Sequence, residues 1–199
     1  MMEFWFEFGS TYSYPAALRI EKMCRDAHVE LRWRPFLLGP IFSSQGWSDS
    51  PFNIYPAKGR YMWRDLERVC AGLDIPFRRP SVFPRNGLLA ARIACWFEGE
   101  SWVPEFIRKV YVANFAADRD ISDTEVVAEI LRELNQPVTI LTMAGAPEAK
   151  SKLRSQTERA KTLEVFGAPS FTIGRELFWG NDRLEAAVAW AKRGTESAV

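Results

Sequence analysis

Strand-like alternation occurs at the two ends of this chain and is missing from its long middle, and that distribution restricts the fold more than any single motif. Near the start, the aromatic run over residues 3–8 reads as a strand, residues 14–27 as a helix, and residues 30–36, ELRWRPF, as a second strand. In that strand Leu31, Trp33 and Pro35 alternate with Glu30, Arg32 and Arg34, the period of a half-buried strand. In the helix Ala17, Ile20, Cys24 and Ala27 recur at spacings of three and four and share a face. A strand, a helix and a strand at this spacing predict a parallel pair with a right-handed crossover. Alternation returns only in PSFTI and RELFW, two short strands meeting at Gly174-Arg175 as a hairpin, before a closing helix over NDRLEAAVAWAKRG. Asn181 is expected as the N-cap of that helix and Gly194 as its stop.

Between these ends the period is helical. Residues 39–57, rich in Gly, Pro and Ser, read as a long loop, and Phe42, Trp47, Phe52 and Tyr55 within it argue against disorder. Helices are expected over 58–71, 87–98, 103–116 and 147–164, with Pro104 and Pro147 near their first turns, where a missing N–H costs little. Ser122 and Glu125 in SDTE suggest a capping box for one more helix, with Val127, Ile130, Leu131 and Leu134 inward. The order βαβ, helices, ββα predicts an α/β fold: a thioredoxin-like mixed four-stranded sheet with an inserted all-helical domain. Residues 1–38 and 165–199 would form the thioredoxin-like domain and residues 39–164 the helical insertion domain. Neither G-x-G-x-x-G after the first strand nor G-x-x-x-x-G-K-[ST] occurs, so a dinucleotide fingerprint and a P-loop are unsupported.

The bulk numbers narrow the function. With 199 residues and 47% hydrophobic residues the chain can bury a substantial core. A net charge of +1 with scattered Lys and Arg gives no nucleic-acid footprint. No apolar run of membrane-spanning length appears. The acidic, aromatic start MMEFWFEF lacks the basic region and small-residue cleavage site of a signal peptide, so a cytoplasmic protein is expected. Cys24, Cys70 and Cys95 form no C-x-x-C pair and fall in apolar helical patterns, as buried structural thiols do. His28, the single histidine, sits in the polar stretch RDAHVE and makes a poor triad base.

Chemistry must therefore come from other groups. Ser10 follows a strand and precedes a helix in GSTYSY, with Ser13 three residues on. Some proteins place a reactive Cys-x-x-Cys at such a junction; here both sulfurs are replaced, which excludes dithiol chemistry at this position. Without a histidine to activate it, Ser10 is a poor nucleophile. It is a good donor toward an anion held at a helix N-terminus, and a thiolate brought by a ligand fits that role. Plain helix capping explains the same residue equally simply. In FGAPSF, a cis bond before Pro169 would leave the Ala168 backbone available to an extended peptide, although X-Pro bonds in folded proteins are cis in only about 5–6% of cases. In FWGNDRLE, Asp182 suits a helix start, and equally a ligand ammonium. Asn53 and Asn86 lie in loops beside aromatics, with Lys58 and Arg85 as nearby cations.

Together FEFGSTYSY, NIYPAKGRYMWRDLERVC, FPRNGLLAAR, LEVFGAPSF and ELFWGNDRLE, in this order along nearly the whole chain, resemble the 2-hydroxychromene-2-carboxylate isomerase family, kin of the kappa-class glutathione transferases. The resemblance implies a glutathione-dependent homodimer acting on a small aromatic substrate. It implies that Ser10 meets the glutathione sulfur, and that Ala168 and a cis Pro169 hold the cysteinyl part. It places Trp179, Gly180, Asn181, Asp182 and Arg183 at the glutamyl end, and Asn53, Ile54 and Asn86 in the aromatic pocket. Lys58 or Arg85 would hold a substrate carboxylate. The family often has Ser-Pro at the active serine; here Thr11 follows Ser10, and its side chain is free to point toward the pocket. A kappa-type transferase or peroxidase, and a non-catalytic peptide-binding relative, are the alternatives.

Overall fold

A computed structural model describes residues 1–196. The strands are β1 (Met2–Phe6), β2 (Leu31–Pro35), β3 (Ser170–Ile173) and β4 (Glu176–Trp179). They form one sheet in the order β2-β1-β3-β4, with β1 parallel to β2 and antiparallel to β3, and β3 antiparallel to β4. Glu3 lies opposite both Arg32 and Thr172, so β1 is the internal strand joining the two ends of the chain. Every residue of β1 is buried, the mark of a strand covered on both faces. On one face Phe4 packs between Trp33 and Phe171, with ring centroids 5.2 and 5.5 Å away. On the other, Trp5 packs with Phe36, Ile41, Ala160 and Val165.

The helices are α1 (Ser13–Asp26), α2 (Leu38–Ser44), α3 (Pro51–Ile54), α4 (Pro56–Gly72), α5 (Leu88–Trp96), α6 (Val103–Phe115), α7 (Thr124–Glu133), α8 (Thr139–Gly145), α9 (Pro147–Thr162) and α10 (Leu184–Glu196). Proline occupies the first turn of α3, α4, α6 and α9, where its missing N–H is no loss. A contiguous core runs from Phe4, Phe6 and Phe171 of the sheet into Phe106, Ile107, Val110 and Tyr111 of α6. Among the described residues no helix is long and apolar enough to cross a membrane.

Four local expectations are corrected. Residues 39–57 are not one loop: they carry α2 and α3, the second started by Pro51 and by the Ser50 hydroxyl accepting from Phe52 N–H at 3.3 Å. The cap of α7 is Asp123 rather than Ser122, its carboxylate accepting from Glu125 N–H at 2.9 Å. Asn181 is no N-cap: it opens a 3-10 turn over Asn181–Arg183, and its side-chain oxygen accepts from Arg19 at 2.9 Å. Gly194 does not stop the last helix, because α10 continues to Glu196.

Two elements meet with no space to spare. A Cβ on Gly59, in the first turns of α4, would overlap the backbone carbonyl oxygen of Phe52 in α3. Backbone cannot swing aside as a side chain can. Gly59→Ala is therefore expected to destabilise by about 1–3 kcal/mol, measured as a lower urea midpoint at unchanged slope.

Candidate active site

The end of β1, the start of α1, and the segments around Pro84 and Ala168 enclose a cavity of about 900 Å³. That is the size of a small-molecule site. Its wall is aromatic: Tyr12, Phe42, Trp47, Phe52, Phe83, Phe166 and Trp179 all contribute. Phe166 and Trp179 stack edge to face at 5.0 Å and stand half exposed. Gly167 permits this, since a Cβ there would overlap the Trp179 indole nitrogen. Apolar walls with a few placed polar groups are the usual composition of an organic-ligand site.

Ser10 lines this cavity. Its hydroxyl donates to the Ala168 carbonyl at 2.9 Å, and its oxygen is approached by Ser13 N–H, the first of α1, at 3.4 Å. Capping and cavity placement therefore coexist in one side chain. The hydroxyl is already bonded, so a ligand anion must compete with a neutral carbonyl for the donor. Charge-assisted bonds are the stronger, which favours the anion. Ser13 is fully buried beside the Tyr111 hydroxyl and does not line the cavity. Thr11 reaches the wall, yet its hydroxyl donates to Met62 Sδ at 3.2 Å and is turned away from pocket chemistry. Ala168–Pro169 is a cis bond, against the reading of the residues alone and as the resemblance implies; Phe83–Pro84, across the cavity, is also cis.

The remaining expected residues divide. Ala168, Trp179, Gly180, Lys58 and Asn86 line the cavity, Asn86 while also accepting from Leu88 N–H at 2.9 Å. Asn53 and Ile54 are exposed in α3 and do not line it; Asn53 instead bonds Asp49 at 3.1 Å. Pro169, Asn181, Asp182 and Arg183 flank it without entering the wall; Asp182 and Arg183 are exposed, while Asn181 is buried. Arg85 also lines the cavity, but its charge is already committed. Its side chain is 4% exposed and ion-paired with Asp118. It also donates to Ser81 Oγ, to the carbonyls of Asn114, Asp118 and Arg119, and to Asn114 Oδ1. Asp118 answers this: Ser81 N–H and Arg85 hold its carboxyl down to about 2. Lys58 is the cation of the wall with no ion pair among the described residues; its ammonium lies 4.7 Å from the Tyr55 ring centroid.

No thiol of the protein can act here. Cys24, Cys70 and Cys95 are all buried and none lines the cavity. Burial pushes Cys24 up to about 12 and Cys70 and Cys95 up to about 11. His28 is exposed and also lies outside the wall. One wall residue escaped the sequence reading. Glu7, one residue past the end of β1, lines the cavity with its carboxyl held against Gly9 N–H, and its only signal was an acidic residue closing an aromatic strand.

A model of the DSBA-like thioredoxin domain matches residues 1–189. A 2-hydroxychromene-2-carboxylate isomerase from Sphingobium xenophagum is 25% identical over 186 residues, covering 92% of this chain and 94% of that protein. Human glutathione S-transferase kappa 1 is 26% identical over 203 residues, covering 92% of this chain and 87% of its own. A solved structure of a 2-hydroxychromene-2-carboxylate isomerase superposes with a TM-score of 0.87 at 23% identity, covering 100% of this chain and 98% of that one.

Proposed function

This chain belongs to the DSBA-like thioredoxin domain family, and from that premise we propose that it is a glutathione-dependent isomerase interconverting 2-hydroxychromene-2-carboxylate and trans-o-hydroxybenzylidenepyruvate. The observation that carries the reading is Ser10 Oγ in the wall of a seven-aromatic cavity that no cysteine or histidine reaches. Such a site can bind and polarise, while the nucleophile must arrive with a ligand. The names of the isomerase and kappa-class relatives, aligned over 92% of the chain, support that ligand and substrate.

The residues present fit the tripeptide. The cavity volume, the hydroxyl of Ser10 beside the first N–H of α1, and the carbonyl of Ala168 together make a polar corner in an apolar pocket. Glutathione, when bound, supplies a thiolate able to add reversibly to a conjugated carbon, so that a former double bond can turn. Ser10 Oγ would donate to the sulfur, and the end of α1 would favour its negative charge. The Ala168 backbone, set by cis Pro169, would hold the cysteinyl part. Trp179, Gly180 and the 3-10 turn at Asn181–Arg183 would take the glutamyl end. Asp182, 74% exposed and 3.6 Å from the Arg183 guanidinium, would take an ammonium, while the Asn181 side-chain oxygen is engaged by Arg19.

Lys58 is favoured over Arg85 as the holder of the substrate carboxylate, because its charge is uncommitted and Arg85's is spent on Asp118. Phe42, Trp47, Phe52 and Phe83 would stack on the aromatic ring and exclude water. Lys58→Met is expected to raise the KM for the aromatic substrate about tenfold, as loss of one exposed charge-assisted contact should. The bound thiol should titrate as in the wild type, which separates a substrate contact from a glutathione contact.

The test of function is isomerase turnover with and without glutathione, with free thiol counted throughout. Turnover that needs glutathione and consumes none supports the isomerase. Consumption of thiol favours the kappa-type transferase, the reading carried by the 26% identity to that relative. A ligand at 100 times its Kd should raise stability by about 2.7 kcal/mol. Absence of any thermal shift with glutathione would leave only a non-catalytic peptide binder.

A further inference from the structure

The cavity wall contains a carboxyl for which the isomerase reading has found no use. Glu7 and Ser10 are tied into one tight turn: Ser10 N–H donates to the Glu7 carbonyl at 2.9 Å, and Gly9 N–H donates to Glu7 Oε2 at 3.0 Å. The Tyr111 hydroxyl of α6 donates to the same Glu7 carbonyl at 2.9 Å and fixes the turn from beneath. Gly9 leaves no room for drift, since a Cβ there would press at once on Glu7 Oε2, the Arg85 carbonyl and Pro84. Glu7 Oε1 has no partner among the described residues.

The other charged or titratable side chains around this turn make no hydrogen bond or ion pair with the Glu7 carboxyl among the described residues. From the 83–86 segment, Arg85 is ion-paired with Asp118. From the α3 side, Asp49 accepts from Asn53. From α4, Lys58 sits over Tyr55, and Tyr12 of the α1 approach donates to Asp65. From α6, burial keeps the Tyr111 hydroxyl far above its ordinary range. Among the described residues no cation forms an ion pair with Glu7. Burial pushes its carboxyl up to about 7, with the Gly9 hydrogen bond opposing.

A carboxylate and a thiolate in one poorly solvated pocket repel each other, and such pairs do not both ionise readily. We propose that Glu7 Oε1 accepts the proton given up by a thiol seated at Ser10, which makes Glu7 a second catalytic residue of this site. The inference rests on the glutathione reading above. The step is a proton transfer alone: the S–H bond breaks, an O–H bond forms on Oε1, and no electrons change hands. The pocket carries one negative charge before and after, so no second charge has to be desolvated. Glu7 keeps the proton while the sulfur is anionic and returns it when the thiol re-forms.

The test is an ultraviolet titration of thiolate absorbance with glutathione as the probe, in wild type, Glu7→Gln, Glu7→Asp and Ser10→Ala, with a thermal shift recorded for each. Glutamine retains an acceptor for Gly9 N–H, so the first variant removes the charge and leaves the turn. In wild type the thiolate signal should rise in two steps, because a pair sharing one proton titrates with two macroscopic values. Glu7→Gln should give a single step that reaches full amplitude about one to three pH units lower, the usual span of a like-charge effect. Glu7→Asp should keep two steps, and Ser10→Ala should keep two while moving both upward. Glutathione that binds and titrates in one step, unmoved by Glu7→Gln, overturns the role of Glu7 alone. Absence of both thiolate signal and thermal shift in the wild type overturns it together with the proposed function.

Discussion

Ser10→Ala is expected to lower kcat/KM for isomerisation about 10- to 150-fold at saturating glutathione, and to raise the pKa of the bound thiol by about one to two units. Both figures come from one quantity: a hydrogen bond to a charged group contributes about 1.5–3 kcal/mol, and about 1.4 kcal/mol is one decade or one pKa unit. The sign follows from which form is stabilised. A hydroxyl donating to sulfur favours the thiolate, so its loss favours the thiol and pushes the titration upward. The structural effect of the same change is smaller. Ser10 gives up one bond to Ala168 and a weak contact with Ser13 N–H, a loss of about 1 kcal/mol by analogy with other caps. Steady-state kinetics, thiolate titration and a urea curve on the same preparation therefore separate the two roles. A thiol that titrates unchanged removes Ser10 from the chemistry and leaves it a cap.

Glu3→Gln should have the largest effect on stability, about 3–5 kcal/mol, or roughly 6–20 °C in Tm for a chain of this size. Glu3 is 5% exposed at the centre of the sheet. Its Oε1 accepts from Arg34 of β2 at 2.8 Å and from Arg159 of α9 at 3.0 Å. Its Oε2 accepts from Arg159 at 2.7 Å and from Thr172 of β3 at 3.3 Å. One carboxylate thus ties three strands and a helix, and its neutralisation leaves the buried Arg34 with Glu98 as its one ion-pair partner. Burial pushes the Glu3 carboxyl up, but Arg159 and Arg34 overcome it and hold the group below its ordinary value of 4.5. A depressed carboxyl stabilises the fold above its unfolded pKa and loses that contribution as pH falls through the folded one. The gap between wild type and variant, read from urea curves, should be full at neutral pH and shrink below about pH 4.5. A gap that is constant with pH would mean that the charge of Glu3 is not what stabilises the fold.

What was readable in the sequence was whatever local periodicity determines. Both ends of the sheet, the parallel first pair, the hairpin at Gly174-Arg175 and the long helices appear where the apolar spacing puts them. The misreadings are cases where a neighbour in space decides. In residues 39–57 Gly, Pro and Ser resemble breakers, yet Pro51 and Ser50 start a helix. Ser122 and Asp123 are both good caps, and geometry selects the second. Arg34 has the alternation of an outward residue but is buried, because Glu3 meets it across the sheet. Arg85 reads as a loop cation, and only the arrival of Asp118 and Asn114 shows that its charge is committed. Glu7 is the sharpest case. A glutamate at the end of a strand reads as solvated, and its desolvation comes from packing of distant segments around the cavity, which spacing does not encode.

The internal position of β1 has a consequence for synthesis. Its antiparallel partner, in the register Glu3 opposite Thr172, leaves the ribosome last of the strands that touch it. Until then the nascent chain carries MEFWF, aromatic and nearly uncharged, with one edge unpaired. Such segments associate readily with one another. Shielding of this strand by the α1 and β2 segments already emerged is therefore expected to favour yield, apart from the stability the finished protein reaches.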